Sequence, residues 1–104
     1  MGKTFKFENN EGKKFKVKFV SPCCTIENGV KHEAHGLCDN PERVKKPYIR
    51  LDKKLGKRKN KTAVIIEEFT HAFFWELPEW KVRKFSNTVA EFLRRADKLF
   101  ESSN

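Results

Sequence analysis

The stretch Lys61-Thr62-Ala63-Val64-Ile65-Ile66-Glu67-Glu68-Phe69-Thr70-His71-Ala72-Phe73-Phe74-Trp75-Glu76-Leu77-Pro78 decides the fold of this chain. Here the apolar period changes from two to about 3.6. Ile66, Phe69 and Phe73 recur at three and four, with Ala63, Ala72 and Leu77 beside them. Asn60 or Thr62 can cap the start of a helix. Pro78 ends it, because a residue before proline is pushed out of the α region. The same proline suits the first turn of a following helix, with Glu79 at the positive end of its dipole. Val82, Phe85, Val89, Phe92, Leu93, Ala96 and Leu99 carry a second amphipathic stripe. The pattern predicts a helix over about residues 61–77 and a C-terminal helix over about residues 79–101.

Upstream the period is two. Phe5 and Phe7 interleave with Thr4, Lys6 and Glu8, and Phe15, Val17 and Phe19 interleave with Lys14, Lys16 and Lys18. Alternation of this kind makes half-buried strands. Asn9-Asn10-Glu11-Gly12 between them is turn-forming, so residues 3–20 read as a β-hairpin. Residues 21–47 are rich in Gly, Pro, Asn, Cys and His and read as irregular, with a short strand or turn near Thr25–Lys31. Tyr48-Ile49-Arg50-Leu51-Asp52 alternates again and reads as a further strand. A small antiparallel or mixed sheet that buries one face against two helices is a sound α+β solution. The 104 residues make one domain's worth of chain, so residues 1–104 are expected to form a single domain.

Composition narrows the setting. The longest apolar run, Ala63 to Ile66, is far below the roughly 20 residues of a membrane helix. No membrane partner is expected. Met1 to Lys6 holds no apolar signal core, and position 6 is Lys where a myristoylation pattern needs Ser or Thr. Cys23, Cys24 and Cys38 are an odd set with one adjacent pair, which suits reduced thiols and a cytoplasmic location. Net charge is +9, and it is uneven: residues 1–62 hold 17 Lys/Arg against 7 Asp/Glu, whereas residues 63–104 hold 6 against 7. A basic N-terminal part of this kind points to a nucleic-acid or acidic partner, against the plainer reading of a solvated surface.

On a helix, residues four apart share a face, so Glu67 and His71 point the same way and Glu68 lies about 100° round. This is the arrangement of H-E-x-x-H with Glu in the first position. In the intact motif two imidazoles bind zinc while the glutamate acts on a water. The surrounding residues extend the match. They are His35-Gly36-Leu37-Cys38-Asp39-Asn40-Pro41, Tyr48-Ile49-Arg50-Leu51, Ile66-Glu67-Glu68-Phe69-Thr70-His71-Ala72, Trp75-Glu76-Leu77-Pro78-Glu79, Val82, and Val89-Ala90-Glu91-Phe92-Leu93-Arg94-Arg95. Together they resemble small phage-type zinc metallopeptidases of zincin-like fold, which carry a Gly-x-Cys-Asp-x-Pro turn, an edge strand, an I-H-E-x-x-H-A helix and a second helix ending in Leu-x-Arg.

The resemblance spans residues 35–96 and implies a minimal zincin-like domain, with Glu68 as catalytic carboxylate and His71 as zinc ligand. The first ligand falls on Glu67, and a carboxylate can ligate zinc. The third ligand would come from the following helix, where Glu79 is the candidate, with Asn87 behind it. The implied activity is zinc-dependent hydrolysis of a peptide or protein substrate. The alternative is an inactive zincin-like binding module of phage origin that contacts nucleic acid or an acidic partner through its basic N-terminal half. The plain alternative for the motif itself is a solvated pair of glutamates and a histidine without a ligand role.

A second set of metal-ligating types lies in the irregular segment: Cys23, Cys24, His32, His35 and Cys38. Thiolates and imidazoles suit a structural zinc site, although the spacing matches no known finger. The competing reading makes Cys38 a small buried hydrophobe. No nucleophile elbow and no phosphate-binding glycine loop is present. Trp75 and Trp80 bracket the Pro78 turn and could lock the helices or mark a contact surface.

Overall fold

The alternating N-terminal residues form a hairpin of β1 (Thr4–Glu8) and β2 (Lys14–Val20), paired antiparallel with Phe7 opposite Phe15 and Phe5 opposite Val17. The computed structural model describes residues 3–102. Asn9 fixes the turn: its Oδ1 accepts from the backbone N–H of Glu11 at 3.0 Å and of Lys13 at 2.8 Å. Gly12 sits at φ +80°, which glycine adopts without strain.

Residues 21–47 are not irregular throughout. They hold β3 (Cys24–Glu27), β4 (Val30–Glu33) and β5 (Gly36–Cys38). The β3–β4 hairpin turns on Asn28 at φ 52° and Gly29 at φ 76°. Two central residues with positive φ match the twist of a two-residue hairpin, and Asn-Gly is the pair that favours it. β6 (Tyr48–Asp52) then pairs parallel with β2 and antiparallel with β5. The main sheet runs β1-β2-β6-β5, and β3–β4 is a separate two-stranded sheet.

A short 3-10 turn (Lys53–Lys57) leads to α1 (Lys61–Phe73) and α2 (Glu79–Ser102). The fold class is α+β. The first helix stops at Phe73, short of residue 77. The Phe74 N–H still bonds the Thr70 carbonyl at 2.8 Å, but Leu77 N–H bonds back to Phe74 O in a turn of its own. The chain must leave the helical direction before Pro78 if α2 is to fold back on α1. Among the described residues no helix is long and apolar enough to cross a membrane.

One face of the main sheet meets α1. Phe15, Val17, Ile49 and Leu51 bury there with Leu55 and Ala72, and Phe7, Cys38 and Val64 pack around them. The Phe7 ring lies 5.3 Å from both Phe15 and Phe69 and 6.2 Å from Phe73. Asn9 adds a long-range tie, donating from Nδ2 to the Ala72 carbonyl at 3.0 Å. That carbonyl is among the last four of α1, which have no partner within the helix. The most buried α1 row against the sheet is Val64, Glu68 and Ala72, spaced by four, with Phe69 and Phe73 beside it on the Phe7 ring; Phe69 remains half exposed. α2 is about 36 Å long, yet only Val82 and Ser86 of it are buried. Much of its apolar stripe, including Phe92 and Leu99, is exposed.

Candidate metal centre

The helix period brings Glu67 and His71 onto one face of α1, and the turn at 74–78 returns α2 so that Glu79, its first residue, faces them. One ligand atom from each of the three lies within 4.8 Å of the others. His71 Nε2 is 3.3 Å from Glu79 Oε2. Ligand atoms at about 2.1 Å from a tetrahedral zinc ion stand about 3.4 Å apart. One edge of the set therefore already has the needed length. The Glu79 side chain is 55% exposed. Two carboxylates and an imidazole are a chemically sound donor set for zinc, richer in oxygen than a pair of imidazoles.

These residues line a hollow of about 380 Å³ with Glu68, Trp75, and Gly36 to Cys38 of the edge strand β5. Glu68 is 6% exposed and reaches in from the sheet-facing row. It fits because β5 carries glycine at the contact: a Cβ on Gly36 would stand 2.9 Å from Glu68 Cγ and 3.1 Å from its Oε2. Burial, and then the Glu67 and Glu79 carboxylates, push the Glu68 carboxyl up to about 8. Glu67 is also raised, first by burial and then by Glu79. The cluster is thus a concentration of negative charge partly withdrawn from water.

Arg83 is the compensating cation. Its Nη2 lies 3.6 Å from Glu79 Oε1 and its Nε 4.0 Å from Glu67 Oε1. The sequence reading passed over it because arginine cannot bind a metal. The signal available was its place four residues after Glu79, one helical turn along the same face. Trp75 lines the same hollow, its ring tilted against that of His71 with centroids 5.8 Å apart. Asn87, the weaker ligand candidate, is exposed on α2.

The second nominated set is not assembled. Among the described residues, Glu67, His71 and Glu79 form the group with metal-binding proximity, and Cys23, Cys24, His32, His35 and Cys38 form none. Cys23 is buried, its thiol directed at the Arg50 carbonyl at 3.7 Å and its N–H at Asp52 Oδ2. Cys24 and His32 lie on different strands of the β3–β4 hairpin, with Cys24 opposite Glu33 and Thr25 opposite His32. His32 and His35 are exposed. Cys38 packs on the hydrophobic core beside α1. Burial pushes the thiols of Cys23 and Cys38 up to about 11 and about 12, the direction of inert packing groups.

No protein-family model, no curated protein and no solved structure matches this chain significantly.

Proposed function

We infer that this chain is a zincin-like domain that hydrolyses peptide bonds with the help of a zinc ion held by Glu67, His71 and Glu79. The observation that carries the reading is the convergence of those three side chains, from two helices, within 4.8 Å. Zinc bound there would act as a Lewis acid and make a water nucleophilic near neutral pH.

The chain's own residues supply the rest. Glu68 lines the hollow; with a cation offsetting the Glu67 and Glu79 charges that help hold its proton on, its ionised carboxylate would take the proton of the attacking water as general base. It then returns that proton to the departing amine. Its rotamer is held between α1 and Gly36, so the base does not wander. Trp75, Leu77 and the β5 backbone wall the hollow and limit bulk water. A peptide or protein is the substrate class that this set of roles serves.

The test uses protein purified without chelator or histidine tag. Elemental mass spectrometry should find about one zinc per chain. Glu68→Gln should keep that zinc while hydrolysis of an unstructured protein substrate falls by a factor of about 10² to 10⁴. Full activity in Glu68→Gln, or a wild-type protein that takes up no zinc, would sink the reading.

A further inference from the structure

The pleat that sends Phe7, Phe15, Val17, Ile49 and Leu51 toward α1 sends their neighbours to the other side of the sheet. Across β1, β2 and β6 the rungs of that outer face read Lys6–Lys16–Tyr48 and Thr4–Lys18–Arg50, and Glu8 opposite Lys14 closes the hairpin end. Both helices lie on the far side, α1 against the apolar face and α2 against α1. Lys45 and Lys46, just before β6, extend the same surface: with Lys6, Lys13, Lys14 and Lys16 they line a hollow of about 610 Å³ beside Tyr48.

The charge on this face is not neutralised. Arg50 is paired with Asp39 at 3.0 Å. Among the described residues none of Lys6, Lys14, Lys16, Lys18, Lys45 and Lys46 makes an ion pair. Lys18 and Arg50 instead sit over the Tyr48 ring, at 4.6 and 5.3 Å from its centroid. Lys6 lies directly opposite Lys16. Like charges placed directly across a strand pair oppose folding, so this arrangement works against the sheet unless an anion covers it.

We propose that the outer face of β1, β2 and β6 binds single-stranded nucleic acid through its phosphates, with Lys6, Lys14, Lys16, Lys18, Lys45 and Lys46 as contacts around the half-buried Tyr48 ring. A cationic track with an aromatic set in it is the arrangement that holds single strands without reading sequence. The face suits other anions less well. It lacks the exposed apolar side chains that seat a protein on a membrane interface. It also lacks the central cluster of aromatic anchors that protein interfaces depend on. Lysines act as point charges, which suits phosphates rather than bidentate recognition. The proposal is independent of the metal centre, which lies on the α1 side of the sheet.

The test is fluorescence anisotropy of the full chain with a labelled oligothymidylate of roughly 20 nucleotides, between about 50 and 200 mM salt. Wild type should bind at the lower salt, with a slope of log affinity against log salt of about −4, since each of the six single-strand phosphate contacts contributes about −0.7. Lys6→Glu/Lys16→Glu/Lys18→Glu should weaken binding at least about tenfold and flatten the slope by about 2. Lys57→Glu/Lys59→Glu/Lys61→Glu makes the same change in net charge away from this face and should stay within about threefold of wild type. Should the triple reversal misfold, Lys6→Gln/Lys16→Gln serves instead: it removes a repulsive pair, so it should melt no lower than wild type and still bind several-fold more weakly. No binding by wild type at low salt overturns the proposal. So do equal losses in the two triple variants, and so does equal or tighter binding to polyglutamate or to phosphatidylserine vesicles.

Discussion

Carboxylates and an imidazole stand on α1 and α2, and thiols and imidazoles stand along residues 23–38. Both sets are of metal-binding type in the sequence, and folding treats them in opposite ways. Glu67, His71 and Glu79 converge. The Cys/His set disperses into a buried thiol, a separate hairpin and a core contact. The difference lies in what fixes the relative positions. Glu67 and His71 are about one helical turn apart, a geometry set by the backbone hydrogen bonds of α1, and Glu79 is brought to them as the first residue of the packed α2. In a segment of short strands, each side chain points where the pairing register sends it, and a shift of one residue reverses the direction.

The comparison can be broken most sharply by removing ligands from each region in turn. His71→Ala should take the zinc content from about one per chain to near zero. Cys38→Ala, Cys23→Ala and His32→Ala should leave it at about one. Elemental analysis of the four variants would show the reverse pattern if the Cys/His set were the metal site.

A smaller effect should appear in the metal-free protein as a function of pH. Glu68 has a folded-state value near 8 against an ordinary value of 4.5. Between those limits the folded chain holds a proton that the unfolded chain has lost, so stability falls as pH rises through the window. The slope is at most about 1.4 kcal/mol per pH unit. Denaturant melts in the presence of chelator should show more stability at pH 5 than at pH 8, and Glu68→Gln should remove most of this dependence, leaving the smaller part due to Glu67. A flat wild-type profile would mean that Glu68 is far better solvated than its packing against Gly36 indicates.

The smallest expected effect sharpens the role of the edge strand. Gly36→Ala places a Cβ at 2.9 Å from Glu68 Cγ, so the carboxylate must shift. Overpacking of this kind costs about 1–3 kcal/mol. Denaturant titration should show that loss. An equivalent Gly56→Ala should show little, since nothing lies within 4 Å of the added carbon.

The elements differ in how far the sequence displayed them. The first hairpin and β6 were legible because one face of each is buried and the other is not, which writes a period of two into the residues. α2 was legible from its stripe and from Pro78 before it. The β3–β4 hairpin was read only as a short strand or turn near Thr25–Lys31, although Asn28-Gly29 was available as a turn signal, because both its strands are short and largely exposed. Nothing local distinguishes such strands from loop. The end of α1 at Phe73 was missed for a similar reason: Phe74, Trp75 and Leu77 continue the helical apolar period, and the turn is imposed by the need to dock α2.

The sequence by itself determined the α+β class, the strand and helix faces, and the shared direction of Glu67 and His71, since all of these follow from local periodicity. Tertiary structure alone decided the sheet order β1-β2-β6-β5, the arrival of Glu79 and Arg83 beside α1, the seating of Glu68 against Gly36, and the gathering of unpaired lysines onto one open face. The physical reason is that these depend on contacts between residues far apart in the chain. Their distances are set by which apolar faces bury together, and no period along the sequence records that choice.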